Sequence, residues 1–160
     1  AMEHVVKRYP TALLHVVGKD SKQQAMEWAA NQAGLANNVR FYGGMENSKL
    51  QALYSRADMF AMPSLIEGFG LVFLEAMAAG TPVIGGLCGG TPELIRDGEN
   101  GFVVAPDQPE VLAERIMQLT ADAGLRERFA HAGKVSYSEY SIERMINRTI
   151  ALFEQFKLPS

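Results

Sequence analysis

Pro63-Ser64-Leu65-Ile66-Glu67-Gly68-Phe69-Gly70-Leu71-Val72-Phe73-Leu74-Glu75-Ala76-Met77-Ala78-Ala79-Gly80-Thr81-Pro82-Val83-Ile84 leads from the end of one apolar segment, through a glycine-rich turn and an apolar helix, into the next apolar segment. Turn residues close the first segment, glycines bracket the helix, and Thr81-Pro82 precedes a β-branched pair. That order is the pattern of a βαβ unit.

Working outward, the same alternation covers nearly the whole chain. Apolar runs at 12–17, 39–42, 59–62, 83–84 and 102–104 lead into Gly18, Gly43-Gly44, Pro63, Gly85-Gly86 and Pro106. Between them, Ser21 with Gln24 forms a capping-box pattern ahead of Ala25, Trp28 and Ala29, and Gly34 marks a helix stop. Leu50, Leu53, Tyr54 and Ala57 keep helical spacing, and Asp107 with Glu110 predicts a cap for a helix carrying Leu112, Ile116 and Leu119. Two more helices are predicted, from about Ala121 to Gly133 and from Ser141 onward, the last placing Ile142, Met145, Ile146, Phe153 and Phe156 on one face. Tryptophan, methionine and aromatic positions in these helices are expected in the core. The fold expected is α/β, a parallel sheet flanked by helices, with residues 1–160 as a single domain.

Composition narrows the function classes. A formal net charge of -3 leaves no basic footprint for nucleic acid, so no nucleic-acid partner is expected. One cysteine, Cys88, excludes an internal disulfide and paired thiol ligands; it is expected as a packing residue in a reducing, cytoplasmic compartment. No apolar run reaches membrane-spanning length and Ala1-Met2-Glu3-His4 does not open a signal peptide, so no integral membrane segment is expected. His4, His15 and His131 are scattered, and no Asp-x-Asp occurs, so no metal site is expected. The chain also lacks GxxxxGK[ST], an early GxGxxG and GxSxG, which argues against a P-loop NTPase, a dinucleotide-binding oxidoreductase and an α/β-hydrolase.

In an open parallel sheet, ligands collect beyond the carboxyl ends of the strands, where these glycine turns fall. Gly68 and Gly70 at a helix head free backbone N–H groups, and a helix start carries about half a positive charge, which suits a pyrophosphate. Glu67 and Glu75 can accept from adjacent sugar hydroxyls, because an ionised carboxylate is an acceptor only. With thirteen glutamates, about one pair at spacing eight is expected by chance, and this is the one pair present. Context distinguishes it: Glu67 lies in the turn, and Glu75 falls roughly 7 Å into an otherwise apolar helix, where a carboxylate needs donors. A sugar joined to a nucleotide diphosphate fits this combination.

These residues resemble the retaining glycosyltransferases with two Rossmann-like domains, the GT-B type often called glycosyltransferase family 4. Val16-Val17-Gly18, Val39-Arg40-Phe41-Tyr42-Gly43, Ala57 through Ser64, the Glu-x7-Glu block, and Gly89-Gly90-Thr91-Pro92-Glu93-Leu94-Ile95 through Asn100-Gly101 match that family's landmarks in order, from residue 1 to about 157. The resemblance implies the C-terminal, donor-binding half of a metal-independent enzyme that transfers a hexosyl unit from a nucleotide sugar, by default a UDP-sugar, to a hydroxyl acceptor, with no other cofactor. It implies that Glu67 binds the donor sugar, Glu75 the ribose, and that Phe69, Gly70 and Leu71 present amides to sugar and diphosphate, with Val72 beside the nucleoside. The loop from Gly43 to Glu46 resembles the base pocket, and Gly18 gives room beside the phosphates.

Lys19 and Asp20 depart from the small residues usual there. The family's first strand, central in its sheet, and the arginine and lysine that follow it have no counterpart in these residues, nor does the N-terminal acceptor domain. The fragment alone is therefore expected to be inactive. Either strands 12–17 and 58–62 pair directly, or two chains complete each other as a strand-exchanged homodimer. The alternatives are a sugar-nucleotide epimerase on the same two-domain plan, and a non-catalytic nucleotide-binding or scaffold domain.

Overall fold

A computed structural model describes residues 1–156. The order is α1 (Met2–Arg8), β1 (Leu14–Val16), α2 (Gln23–Gln32), β2 (Val39–Phe41), α3 (Asn47–Arg56), β3 (Phe60–Met62), α4 (Leu71–Ala79), β4 (Val83–Gly86), α5 (Thr91–Leu94), β5 (Gly101–Val104), α6 (Pro109–Ala121), α7 (Ala123–Glu139) and α8 (Ile142–Gln155). Every strand pairing is parallel, so the alternation read from the sequence is the alternation of the fold.

The strands form two separate sheets, β1-β2 and β3-β4-β5. Leu14 is paired with Val39 in the first, and Val83 with both Phe60 and Gly101 in the second. β1 and β3 do not pair with each other, so the direct pairing of 12–17 with 58–62 does not occur. Leu14 and His15 remain exposed on β1.

All four residues of β4 are buried, as expected for a parallel strand covered on both faces. Its pleat sends Val83 into a core with Tyr54, Phe73, Leu74 and Met77, and Ile84 into a second core with Phe102, Leu119, Leu125 and Phe129. α4 buries Phe73, Leu74, Ala76 and Met77, and such a helix, apolar nearly all round, belongs in an interior. Phe73 is fully buried and packs edge-on against Phe60 at 5.5 Å; burial of one such side chain stabilises the fold by about 1.5–3 kcal/mol.

α4 stops at Gly80, whose φ of 79° directs the Gly80 N–H to Met77 O and the Thr81 N–H to Ala76 O. The Thr81 hydroxyl then donates to Tyr54 O at 2.7 Å, tying the end of α4 to α3. A buried polar knot holds the segment between α5 and β5. Asn100 Nδ2 donates to Leu94 O and Ser136 Oγ, and its Oδ1 accepts from the Arg96 N–H.

Several local expectations are corrected. Ser21 does not cap α2: the helix begins at Gln23, and Asp20 takes the Lys22 N–H at 2.7 Å instead. Asp107 does not cap α6, because Pro109 fixes the first turn and Gln108 occupies the cap without a side-chain bond. Ser141 does cap α8, accepting from the Arg144 N–H at 3.3 Å, and α7 runs on to Glu139 rather than ending near Gly133. Tyr54 and Phe129 are buried as expected of aromatic helical positions, but Trp28 is 66 % exposed and Met145, Phe153 and Phe156 are exposed as well, so for these the core placement fails. Periodicity reports that a helix has an apolar face; it does not report what that face meets.

Candidate functional site

After β3 the chain passes Pro63-Ser64 and makes a loop over Glu67, Gly68 and Phe69 before entering α4 at Gly70. Gly70 is the N-cap with φ 88°, a left-handed conformation that glycine adopts without a Cβ penalty, and no side chain caps the helix. The Phe73 N–H turns back to Gly70 O at 2.9 Å. Leu71 and Val72, as the first helical residues, have no acceptor within the helix and direct their amides out of its positive end.

This loop is clamped by the one after β4. A Cβ on Gly86 would stand 2.5 Å from Ser64 O, one on Gly89 1.7 Å from Glu67 O, and one on Gly90 2.7 Å from Gly68 O. The Cys88 thiol donates to Ser64 O at 2.6 Å, and the Gly90 N–H to Glu67 O at 3.4 Å. The run Gly85-Gly86-Leu87-Cys88-Gly89-Gly90 is therefore a surface on which one backbone mates with another, and Cys88 is a hydrogen-bonding residue of that clamp.

Glu67 is half-buried in the loop. Glu75, also half-buried, lines a cleft of about 600 Å³ with Leu71 and Ala78 of α4, Gln51 of α3, and Tyr140 at the corner between α7 and α8. Tyr54 of α3 lies near Glu75: burial first, then the neighbouring Glu75 carboxylate, push the phenol up to about 12. Nothing in the spacing of α3 singled out Tyr54 for this contact.

The other candidates gather separately. The Gly18 N–H donates to Gly43 O at 2.7 Å, and Lys19 lies across Gly44, where a Cβ would meet its Cε at 2.7 Å. Glu46 is exposed at the head of α3 and pairs with Lys49 at 3.3 Å. Gly18, Gly43 and Glu46 thus adjoin the β1-β2 sheet, whereas Glu67, Phe69, Gly70, Leu71, Val72 and Glu75 adjoin the other sheet. Among the described residues no group of three or more His, Cys, Asp or Glu is placed to hold a metal ion, and no helix is long and apolar enough to cross a membrane.

The profile of one family, described as "Glycosyl transferases group 1", matches residues 1–136. The chain belongs to this family. As a group 1 glycosyltransferase sequence, it is 34% identical over 155 residues to an uncharacterized glycosyltransferase of Methanocaldococcus jannaschii, covering 96% of this chain and 40% of that protein. It is also 34% identical to a GDP-mannose-dependent alpha-(1-6)-phosphatidylinositol monomannoside mannosyltransferase of Mycobacterium tuberculosis, with 84% of this chain and 37% of that protein covered. Its fold matches the crystallised C-terminal domain of a glycosyl transferase group 1 family protein, LpcC, of Francisella tularensis. The TM-score is 0.78 and the identity 31%, over 88% of this chain and 77% of that one. The group 1 chain thus spans about 40% of the length of these curated relatives, and its Rossmann-like α/β architecture is that of a GT-B glycosyltransferase domain.

Proposed function

We propose that this chain is the donor-binding, C-terminal part of a retaining, metal-independent glycosyltransferase that moves a hexosyl unit from a nucleotide sugar to a hydroxyl acceptor. The observation that carries it is the head of α4: an uncapped helix start at a left-handed glycine, flanked by Glu67, with Glu75 facing an open cleft. The Phe69, Gly70 and Leu71 amides would meet the sugar and diphosphate, Glu67 the sugar hydroxyls, Glu75 the ribose, and Val72 the nucleoside. Departure of a nucleotide diphosphate builds negative charge, which a helix N-terminus stabilises without reorganising. Gly18 and the loop from Gly43 to Glu46 would reach the phosphates and base from the other sheet.

The acceptor would be held by a further domain. A strand inserted between β1 and β3 would join the two sheets, supplied by additional chain; in a strand-exchanged homodimer the open edges of β1 and β3 would instead pair with strands of a second copy. Without both, the fragment would bind donor and not turn it over. A UDP-sugar is the default donor, and the lone half-buried thiol suits the cytoplasm.

Calorimetric titration with UDP, GDP and ADP tests the proposal. Saturable binding of at least one, weakened by Glu75→Gln, is expected. Failure of all three to bind would refute it.

A further inference from the structure

We infer that Tyr140, at the corner where α7 hands over to α8, is a positioning residue that holds the 67–70 turn in its ligand-ready shape. The inference rests on the donor-binding role proposed above for that turn.

Tyr140 is the residue after α7 and the one before Ser141, the cap of α8. Its ring meets that of Phe69 edge-on, with centroids 5.7 Å apart and planes at 65°. Its hydroxyl donates to Glu93 O of α5 at 3.0 Å. One side chain therefore touches both halves of the clamp: the turn through Phe69, and the segment after Gly89-Gly90 through Glu93. The same tyrosine lines the cleft that Glu75 faces.

Core packing does not account for this arrangement. Tyr140 is 38% exposed and Phe69 39% exposed, so neither ring is sunk in either hydrophobic core. What the pair does is limit where Phe69 can go. The turn has few other side-chain holds, since Leu65, Ile66 and Gly68 are exposed and the clamp from Gly89 and Gly90 acts through backbone alone. Phe69 sits directly before the left-handed Gly70, so a displacement of its ring swings the amides of Gly70 and Leu71, which must converge on one anion. An edge-to-face pair plus one hydrogen bond is of a size to change affinity by about tenfold.

The test uses the whole chain, UDP and GDP as probes, and two variants. Tyr140→Leu removes both contacts, and Tyr140→Phe removes only the bond to Glu93 O. Titration calorimetry should show affinity for the better-binding nucleotide falling about five- to tenfold in Tyr140→Leu and about two- to threefold in Tyr140→Phe, with Tm shifted by only a few degrees. ¹⁵N relaxation should show order parameters at Gly68, Phe69 and Gly70 falling from rigid values near about 0.85 toward about 0.6 in Tyr140→Leu, and by less in Tyr140→Phe.

Unchanged affinity in both folded variants overturns the inference, even if the turn loosens. If the leucine variant does not fold, the nearly isosteric phenylalanine variant decides alone, and wild-type affinity with wild-type order parameters overturns it. If the wild-type chain binds neither nucleotide, the donor-binding role has failed separately. The brace is then judged on order parameters: a looser turn supports it and an unchanged turn overturns it.

Discussion

Gly89→Ala tests whether the clamp between the two glycine-rich loops sets the shape of the site. Gly89 has φ 55°, and an added Cβ would stand 1.7 Å from Glu67 O. Two costs follow, and they can be separated. The left-handed backbone disfavours alanine by roughly 1–2 kcal/mol wherever it occurs. The collision is local: reaching even 3.0 Å requires the Glu67 backbone or the 88–90 loop to move by about 1.3 Å. That movement displaces Glu67 and, three residues on, the entry to α4, and a misplacement near 1 Å in a positioned site costs on the order of 100-fold. Gly34→Ala and Gly98→Ala are matched controls, with φ of 73° and 76° and nothing within 4 Å of the new methyl. Thermal melts should lower Tm by roughly 2–8 °C in the two controls and by more in Gly89→Ala. Calorimetry with UDP and GDP should show a loss of tenfold or more for Gly89→Ala alone. A folded Gly89→Ala chain that binds nucleotide as tightly as the two controls would refute the clamp.

Glu75→Gln should weaken nucleoside diphosphate binding by about ten- to 100-fold, since bonds from hydroxyls to a charged acceptor are worth roughly 1.5–3 kcal/mol. The preference for UDP over 2′-deoxy-UDP should vanish with it, and a preserved preference would dismiss the ribose contact. Tyr54, pushed up from 10.0 to about 12, keeps its proton in the folded chain after an unfolded tyrosine has lost it. Its contribution is therefore complete below pH 10 and fades between pH 10 and 12, by roughly 2–3 kcal/mol at the top of that window. Urea unfolding at intervals across it should show the extra fall in wild type and not in Tyr54→Phe; parallel curves would count against the Tyr54–Glu75 contact. Asn100→Ala strips three hydrogen bonds from a residue 1% exposed, leaving the Arg96 N–H, Leu94 O and Ser136 short of partners. It should cost about 3 kcal/mol and lower Tm by roughly 6–12 °C, and a shift under about 2 °C would show the knot to be dispensable.

The strand order along the chain was legible because buried parallel strands are written as short apolar runs that end in glycine or proline. Val83-Ile84 before Gly85 and Phe102-Val103-Val104 before Pro106 both proved to be strands. α4 was legible for a related reason, since Gly70 and Gly80 bound it and its interior is apolar. Caps were less so: Ser141 holds, whereas Ser21 loses to Asp20, because several oxygens compete for one helix start and only the backbone path decides. The faces of α2 and α8 could not be assigned from period alone, as exposed Trp28 and Phe153 show. The 67–75 segment announced its parts through residue type and order. Its supports did not, because Cys88 on Ser64 O, Tyr54 on Glu75 and Tyr140 on Phe69 join positions about 20 to 70 residues apart by contacts with no local spacing.

Local rules of stability are broken twice within α4, and the two breaks are adjacent. A helix start is normally closed by Ser, Thr, Asp or Asn, worth about 1 kcal/mol, yet α4 begins on a left-handed glycine with no side-chain cap. At position 75, where a leucine would extend its apolar surface, it carries a half-buried carboxylate near Tyr54 of α3. Elsewhere the helix follows the rules, with Phe73, Ala76 and Met77 fully packed and a glycine closing its far end. Helix starts without a side-chain cap recur in this fold, at α2, α3 and α6 among others. What sets α4 apart is the combination: its unpaired donors and a half-buried acceptor lie about one and a half turns apart, as a site for an anion joined to a polyol requires. The carboxylate is the defect that can be filled without disturbing the helix start, since a Cβ on Gly70 would stand 2.7 Å from the buried Phe73 ring. Glu75→Leu should therefore raise Tm and abolish nucleotide binding. A gain in Tm with binding intact would make the carboxylate incidental.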